Sequence, residues 1–231
     1  TPYPTLFPYT TLFRSPVSAL TNTYKIDRNK NYINTSTATI QRILAQPVNV
    51  NIVNAIRYVA TNTITGLIGS FQLIENFHKG ETKTFSAWVK SNQVNARVYI
   101  SDGVGTSSST QHSGSGLYEL LSVTRTISTS ATRLECGVRI QSSTVGGTLI
   151  TTGDYVESTM WQLESGSVAT PFEQRPYGLE LSLCQRYYEV VDSSLSGMAF
   201  TESNLSFSGA FKVTKRVVPT MSYSAPGVWV G

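Results

Sequence analysis

Charge is scarce in this chain: only 14% of its 231 residues are Asp, Glu, Lys or Arg, against about a quarter in an ordinary globular domain. The 18 basic residues are spread from Arg14 to Arg216 instead of grouped. A nucleic-acid surface needs clustered cations to displace counterions from phosphates, so the net charge of +4 does not point to DNA or RNA. Two histidines, His78 and His112, leave little material for a Ser-His-Asp set. No G-x-S-x-G elbow, Walker loop, HExxH or dinucleotide fingerprint occurs. No apolar run approaches the roughly 18 residues of a transmembrane helix, so membrane insertion is not expected.

Cysteine is equally sparse. Cys136 and Cys184 are too few for a disulfide framework and lack metal-ligand spacing. Cys136 alternates with Leu134, Val138 and Ile140, which places its thiol on the inward face of a strand as a small hydrophobe. Clustered acids that would hold calcium are also missing, so neither a metal nor a cofactor is expected.

What remains is abundant Ser, Thr and Asn interleaved with apolar residues at every second position. TATIQRIL predicts a strand over Ala38 to Leu44, ended by Pro47. The next apolar stretch breaks at Gly66 and Gly69 into strands over Ile56 to Val59 and Ser70 to Ile74. Phe85, Ala87 and Val89 alternate with Ser86, Trp88 and Lys90. Ala96, Val98 and Ile100 alternate with Asn95, Arg97 and Tyr99, and Asp102-Gly103 closes that strand as a turn. A Gly/Ser/Thr-rich loop follows. YELLSVTRTI and TRLECGVRI then predict a hairpin around Ser128 to Ala131, and a final strand spans Asp154 to Leu163, with Tyr155, Trp161 and Leu163 sharing a core face.

About eight strands with turn signals at sandwich spacing predict an all-β fold, a two-sheet antiparallel jelly-roll sandwich over residues 16–170. Pro171, Pro176 and Gly178 mark a connector over 171–192. In it Tyr177, Leu181, Cys184 and Tyr188 form an apolar helical stripe about three turns long. Beyond it, LSFSGAF, FKVTKRVV and TMSYSA suggest a small β-rich unit over 193–231. Such a unit buries too little apolar area alone and is expected to be incomplete or completed by identical chains. Thr1 to Ser15 lacks the features of a signal peptide. It resembles translated sequencing-adapter sequence and is expected to be an artefactual or disordered leader.

Four stretches carry a family resemblance. FSAWVKS (Phe85 to Ser91) is similar to a strand motif of the type sFWvKa. RVYISDGVGTSSSTQHSGSGLYELLSVT (Arg97 to Thr124) is similar to the central strands of a carbohydrate-binding-type jelly roll. WQLESGSVATPFEQRP (Trp161 to Pro176) and YGLELSLCQRYYE (Tyr177 to Glu189) resemble the closing strand and exit of phage tail-fibre and virion-appendage proteins. The resemblance spans roughly Ile52 to Tyr223. It implies a non-enzymatic structural protein of the virion, trimeric, bound to other virion proteins and facing host cell-surface glycans. Two further readings stay open: an accessory carbohydrate-binding module of a secreted polysaccharide-degrading enzyme, and a spacer or decoration protein that binds nothing.

Sugar-binding jelly rolls stack aromatic rings on pyranose faces and bond the hydroxyls with amides, Arg or carboxylates. The candidates on the polar sides of the central strands are Trp88, Arg97, Tyr99, Tyr118 and Arg139, joined by Asp102 and His112 from the loop. Trp88 is equally a candidate for the sandwich core, Asp102 for a plain turn, and Arg97 and Arg139 for partners of Glu135. Glu119, Glu135, Asp154 and Glu157 supply carboxylates, but no two stand at a spacing that marks a glycosidase pair, and no catalytic residue is assigned.

Overall fold

The architecture comes from a computed structural model, which describes residues 5–6, 17–18, 24–26, 29–33, 38–47, 53–142, 149–173, 176–186, 189, 196–201, 204–208, 210–215 and 218–219. Within them run β1 (Thr5–Leu6), β2 (Val17–Ser18), β3 (Tyr24–Ile26), β4 (Asn29–Ile33), β5 (Ala38–Ala45), β6 (Val53–Ala60), β7 (Leu67–Leu73) and β8 (Thr82–Ser91). They continue with β9 (Ala96–Ser101), β10 (Thr106–Ser108), β11 (Tyr118–Thr126), β12 (Glu135–Gln141) and β13 (Tyr155–Ser165). A helix, α1 (Tyr177–Gln185), precedes a hairpin of β14 (Ser196–Thr201) and β15 (Asn204–Ser208).

The strands form two antiparallel sheets face to face. One has the order β11-β8-β13-β6-β5-β2, with β1 also paired to β13; the other has the order β10-β9-β12-β7-β4-β3. From β8 onward the chain repeatedly changes sheets, which wraps it into a jelly-roll sandwich. The alternation read from the sequence fills the space between them. Ile40, Ile56, Tyr58, Phe85, Ala87, Val89 and Leu121 from the first sheet meet Ile68, Ala96, Val98, Ile100, Cys136, Val138 and Ile140 from the second. Burial, and then the neighbouring Glu135 charge, pushes the Cys136 thiol up, so it stays neutral and inert there.

Several expectations need correction. The strands around Ser128 to Ala131 do not pair: β11 bonds β8, whereas β12 bonds β7 and β9, so their connection crosses from sheet to sheet. Gly69 lies inside β7 instead of breaking it, and the Gly/Ser/Thr-rich loop contains β10, which pairs with β9. Phe211 to Lys215 is irregular, not a strand. Lys215 donates to the Gln185 carbonyl at the end of α1 (2.5 Å) and to Glu189 Oε2 (2.6 Å), anchoring that segment where a cation complements the helix dipole. TMSYSA and the side chain of Cys184 lie outside the described residues.

The largest correction concerns β13. Tyr155, Trp161 and Leu163 do not share a face, because the register slips between Thr159 and Gln162, where Met160 takes φ 54°. Such a bulge inverts the side-chain parity of everything beyond it. Before it, Val156 and Ser158 point inward and Tyr155, Glu157 and Thr159 outward. After it, Trp161 and Leu163 point inward and Gln162 and Glu164 outward. Trp161 packs edge-on against Phe85 at 5.5 Å and 75° and is the buried sandwich tryptophan. Trp88 is not: it is half-buried on the outer face.

Asp102 fastens the two sheets together. Its carboxylate is fully buried and accepts from the backbone N–H of Val104 (3.0 Å), Gly105 (2.8 Å) and Ser128 (3.0 Å) and from Arg125 Nε and Nη2 (both 3.0 Å). Burial alone would raise its pKa, but these donors outweigh it and hold the carboxyl far below the usual range.

Two stability predictions arise here. In Asp102→Asn, loss of the charge opposite Arg125 should cost about 3 kcal/mol at neutral pH by urea unfolding. Because the folded pKa is depressed, that stabilisation is complete above the unfolded value of about 4 and is lost as pH falls through and below it. The gap between wild type and variant should therefore shrink on acidification below about pH 4. In Gly137→Ala, the new Cβ would stand 2.5 Å from the Ser70 carbonyl oxygen and 2.7 Å from Tyr99 Cε1, so the melt should show a loss of about 1–3 kcal/mol.

Candidate functional site

The outer face of the seven-stranded sheet divides into an occupied half and an open half. In the occupied half, the segment that leaves β13 turns back across the sheet. Gln162 donates from Nε2 to the Thr170 hydroxyl (3.1 Å) and carbonyl (3.3 Å), and its Oε1 accepts from Glu173 N–H at 2.9 Å. Glu164 accepts from the Thr170 N–H (2.9 Å) and hydroxyl, and Thr84 donates to the Gly166 carbonyl (2.8 Å). The WQLES-GSVATPFE run is thus a strap: the outward residues after the bulge bind the connector and cover that end of the sheet.

In the open half, register sets side chains in rows. Tyr118, Lys90, Glu157, Arg57 and Gln41 face one another across five strands, and Leu120, Trp88 and Thr159 form the next row. Five strands spaced about 4.8 Å apart span about 19 Å. A groove of about 530 Å³ runs over the first row, lined by Tyr118, Lys90, Glu157 and Arg57, by Ile43 to Gln46, and by Gly116 and Leu117. Leu117, Leu120 and Leu44 are exposed at its margins.

Glu157 is the hub of this groove. Though only 2% exposed, it accepts from Tyr118 Oη at 2.8 Å, and Arg57 Nε and Lys90 Nζ stand 3.4 and 3.9 Å from its oxygens. Burial, followed by the Glu157 charge, drives the Tyr118 phenol well above its ordinary pKa, which keeps it a donor to the carboxylate. The two cations also lie over aromatic rings, Arg57 at 4.5 Å from Tyr155 and Lys90 at 5.7 Å from Tyr118. Rings and cations are therefore held in fixed positions around one buried carboxylate.

The sequence candidates fall in separate places. Trp88 and Tyr118 share the open half of this face. His112 lies beneath its rim, 1% exposed: Nδ1 accepts from Gly114 N–H (2.9 Å) and Nε2 donates to the Leu117 carbonyl (3.1 Å), which defines the neutral Nε2–H tautomer. It shapes the loop that supplies Gly116 and Leu117. Glu119 braces the same loop; burial opposes its ionisation, but bonds from Ser113 and Ser115 prevail and lower its pKa. Asp102 is interior, with both oxygens engaged as described. Arg97, Tyr99 and Arg139 lie on the opposite sheet, where Glu135 is bridged by Arg133 (2.8 Å) and not by either arginine.

Arg57, Lys90, Glu157 and Tyr155 were not among the candidates. A period-two pattern continued through β13 puts Tyr155 in the core beside Trp161, and only the bulge reverses that. Among the described residues, no group of three or more His, Cys, Asp or Glu is arranged to hold a metal ion, and no helix is long and apolar enough to cross a membrane.

No protein-family model matches the chain, and no curated protein sequence matches it. Solved structures similar to it include the enzymatically active domain of tailspike protein 4 from bacteriophage CBA120 (12% identity, TM-score 0.47, 62% of this chain and 20% of that one). The CBM22-1–GH10 modules of Clostridium thermocellum xylanase 10B, complexed with xylohexaose, match at 12% identity and TM-score 0.42 over 64% of this chain and 28% of that one. TmCBM61 in complex with β-1,4-galactotriose matches at 12% identity and TM-score 0.40 over 60% of this chain and 88% of that one. This chain therefore spans less than a third of the tailspike and xylanase chains and most of the TmCBM61 chain.

Proposed function

We propose that this chain is a non-catalytic glycan-binding sandwich, and that it serves a phage virion appendage as an adhesive element presented to host cell-surface glycans. The observation that carries the binding part is the open half-face. Tyr118 offers ring surface beside Lys90 and Arg57, which can donate to hydroxyls, in a groove long enough for an oligosaccharide, and Trp88 stands in the next row of the same face. Sugar rings present one apolar face and a rim of hydroxyls, and this arrangement complements both. Among the described residues of the groove Glu157 is the one carboxylate, and its oxygens are already held by Tyr118, Arg57 and Lys90. Glycoside cleavage takes two carboxylates flanking one bond, so binding suits this groove better than turnover.

The virion assignment rests on the resemblance of Trp161 to Pro176 and Tyr177 to Glu189 to the exit of tail-fibre proteins. The strap gives the first of these motifs a physical task, fixing the direction in which the chain leaves the sandwich. Assembly as a homotrimer, alongside other virion proteins, rests on the small two-stranded β14–β15 unit, which needs partners to bury apolar area. Three linked sites would raise avidity for a host surface by about 10²–10⁴ without a new contact.

A glycan array with the full chain, followed by calorimetry on the best ligand, tests this reading. Trp88→Ala and Tyr118→Ala should each weaken binding about tenfold, the loss of about 1.4 kcal/mol, Trp88→Ala with little change in melting temperature and Tyr118→Ala with a lower one, because buried Glu157 loses its hydroxyl donor. Binding to host cells and their glycans supports adhesion, whereas binding confined to storage or plant-wall polysaccharides favours the accessory-module reading. No binding to any glycan overturns the proposal in favour of a decoration protein.

A further inference from the structure

The opposite face of the sandwich has a charge arrangement that the groove does not use. On the six-stranded sheet, the inward residues of β9 and β12 are Ala96, Val98 and Ile100 and Cys136, Val138 and Ile140, all essentially inaccessible, so Arg97, Tyr99, Gly137 and Arg139 point outward. Arg97 and Arg139 are register partners, directly opposite across the two strands. Like charges so placed repel and weaken a sheet. Among the described residues no acid compensates: Glu135, outward on the same strand, is engaged by Arg133, and neither Arg97 nor Arg139 makes an ion pair.

Local packing fixes one of the two guanidinium groups. Tyr99 lies against the bare backbone of Gly137 and Arg139 covers its ring at 4.4 Å, leaving the tyrosine 2% exposed. Tyr99 is thus a support and not a stacking platform. The row then continues from Arg139 to Gly69, where no side chain stands. The result is a half-buried pair of planar forks with repulsion that an anion would relieve.

We propose that this face is a second carbohydrate site, distinct from the groove and selective for acidic sugars, in which Arg97 and Arg139 together hold one sugar carboxylate. Guanidinium matches carboxylate geometry through paired N–H donors, a match an ammonium cannot make. A nucleic acid is disfavoured because a phosphate track needs many grouped cations and strands β9 and β12 offer two. The site does not depend on the groove reading, since the two sheets present their outer faces on opposite sides of the core.

The test is calorimetry of the full chain with an oligogalacturonide, its fully methyl-esterified counterpart, which keeps the sugars and removes the charge, and a single-stranded DNA of similar charge. The acid form should bind at least tenfold more tightly than the ester. Arg97→Gln and Arg139→Gln should each weaken it about tenfold or more, as loss of a charged hydrogen bond does. Trp88→Ala should leave it unchanged. Because one of two opposed charges is removed, Arg97→Gln should melt at or above the wild-type temperature. Equal binding of acid and ester, no binding of the acid form, wild-type affinity in both arginine variants, or tighter binding of the DNA would overturn the proposal. Failure of the groove reading would show elsewhere, as neutral-glycan binding indifferent to Trp88.

Discussion

One backbone irregularity governs how this sandwich uses its longest strand. β13 runs through the middle of the seven-stranded sheet, and a strand of 11 residues in unbroken alternation would commit one parity to the core throughout. The bulge at Met160 frees it from that constraint. The first half sends Glu157 outward to gather Tyr118, Arg57 and Lys90. The second half sends Trp161 and Leu163 inward against Phe85, while Gln162 and Glu164 hold the returning chain. A positive φ at a non-glycine residue costs of order 1 kcal/mol, and the edge-on aromatic contact and the strap bonds offset it.

That division gives each region of the sheet its own task. The strap closes one end and leaves the other open, where rows of aromatic and charged side chains stand at strand spacing. The rim of that open end is held from below by His112 and Glu119 through backbone and serine contacts, so the loop carrying Gly116 and Leu117 is supported without occupying the groove. Asp102, far from the groove, does for the sandwich what Glu157 does for the surface: it collects donors from several segments around one buried carboxylate.

The two-sheet core was legible because strands with one polar face show it directly. Phe85, Ala87 and Val89, and Ala96, Val98 and Ile100, read as core from their spacing alone. Which strands pair was not legible, since β11 and β12 each have a clean alternation and nothing local tells a hairpin from a crossing between sheets. The bulge left no mark either, because Met160 is neither Gly nor Asn, and so the placement of Tyr155 was inverted. Residue type grouped Trp88 and Tyr118 with Arg97, Tyr99 and Arg139, which the structure sets on opposite sheets. It also drew in Asp102 and His112, whose polar atoms turn out to be consumed, those of Asp102 by backbone groups and Arg125 and those of His112 by backbone groups of its own loop.

The most direct test of the account is the side-chain indole region of a ¹⁵N correlation spectrum during titration with a bound oligosaccharide. The indole N–H signal of Trp88 should shift with saturating dependence on ligand while that of Trp161, sealed behind the bulge, stays in place. A spectrum in which Trp88 is unmoved by a ligand that demonstrably binds, or in which Trp161 responds in its stead, would contradict it.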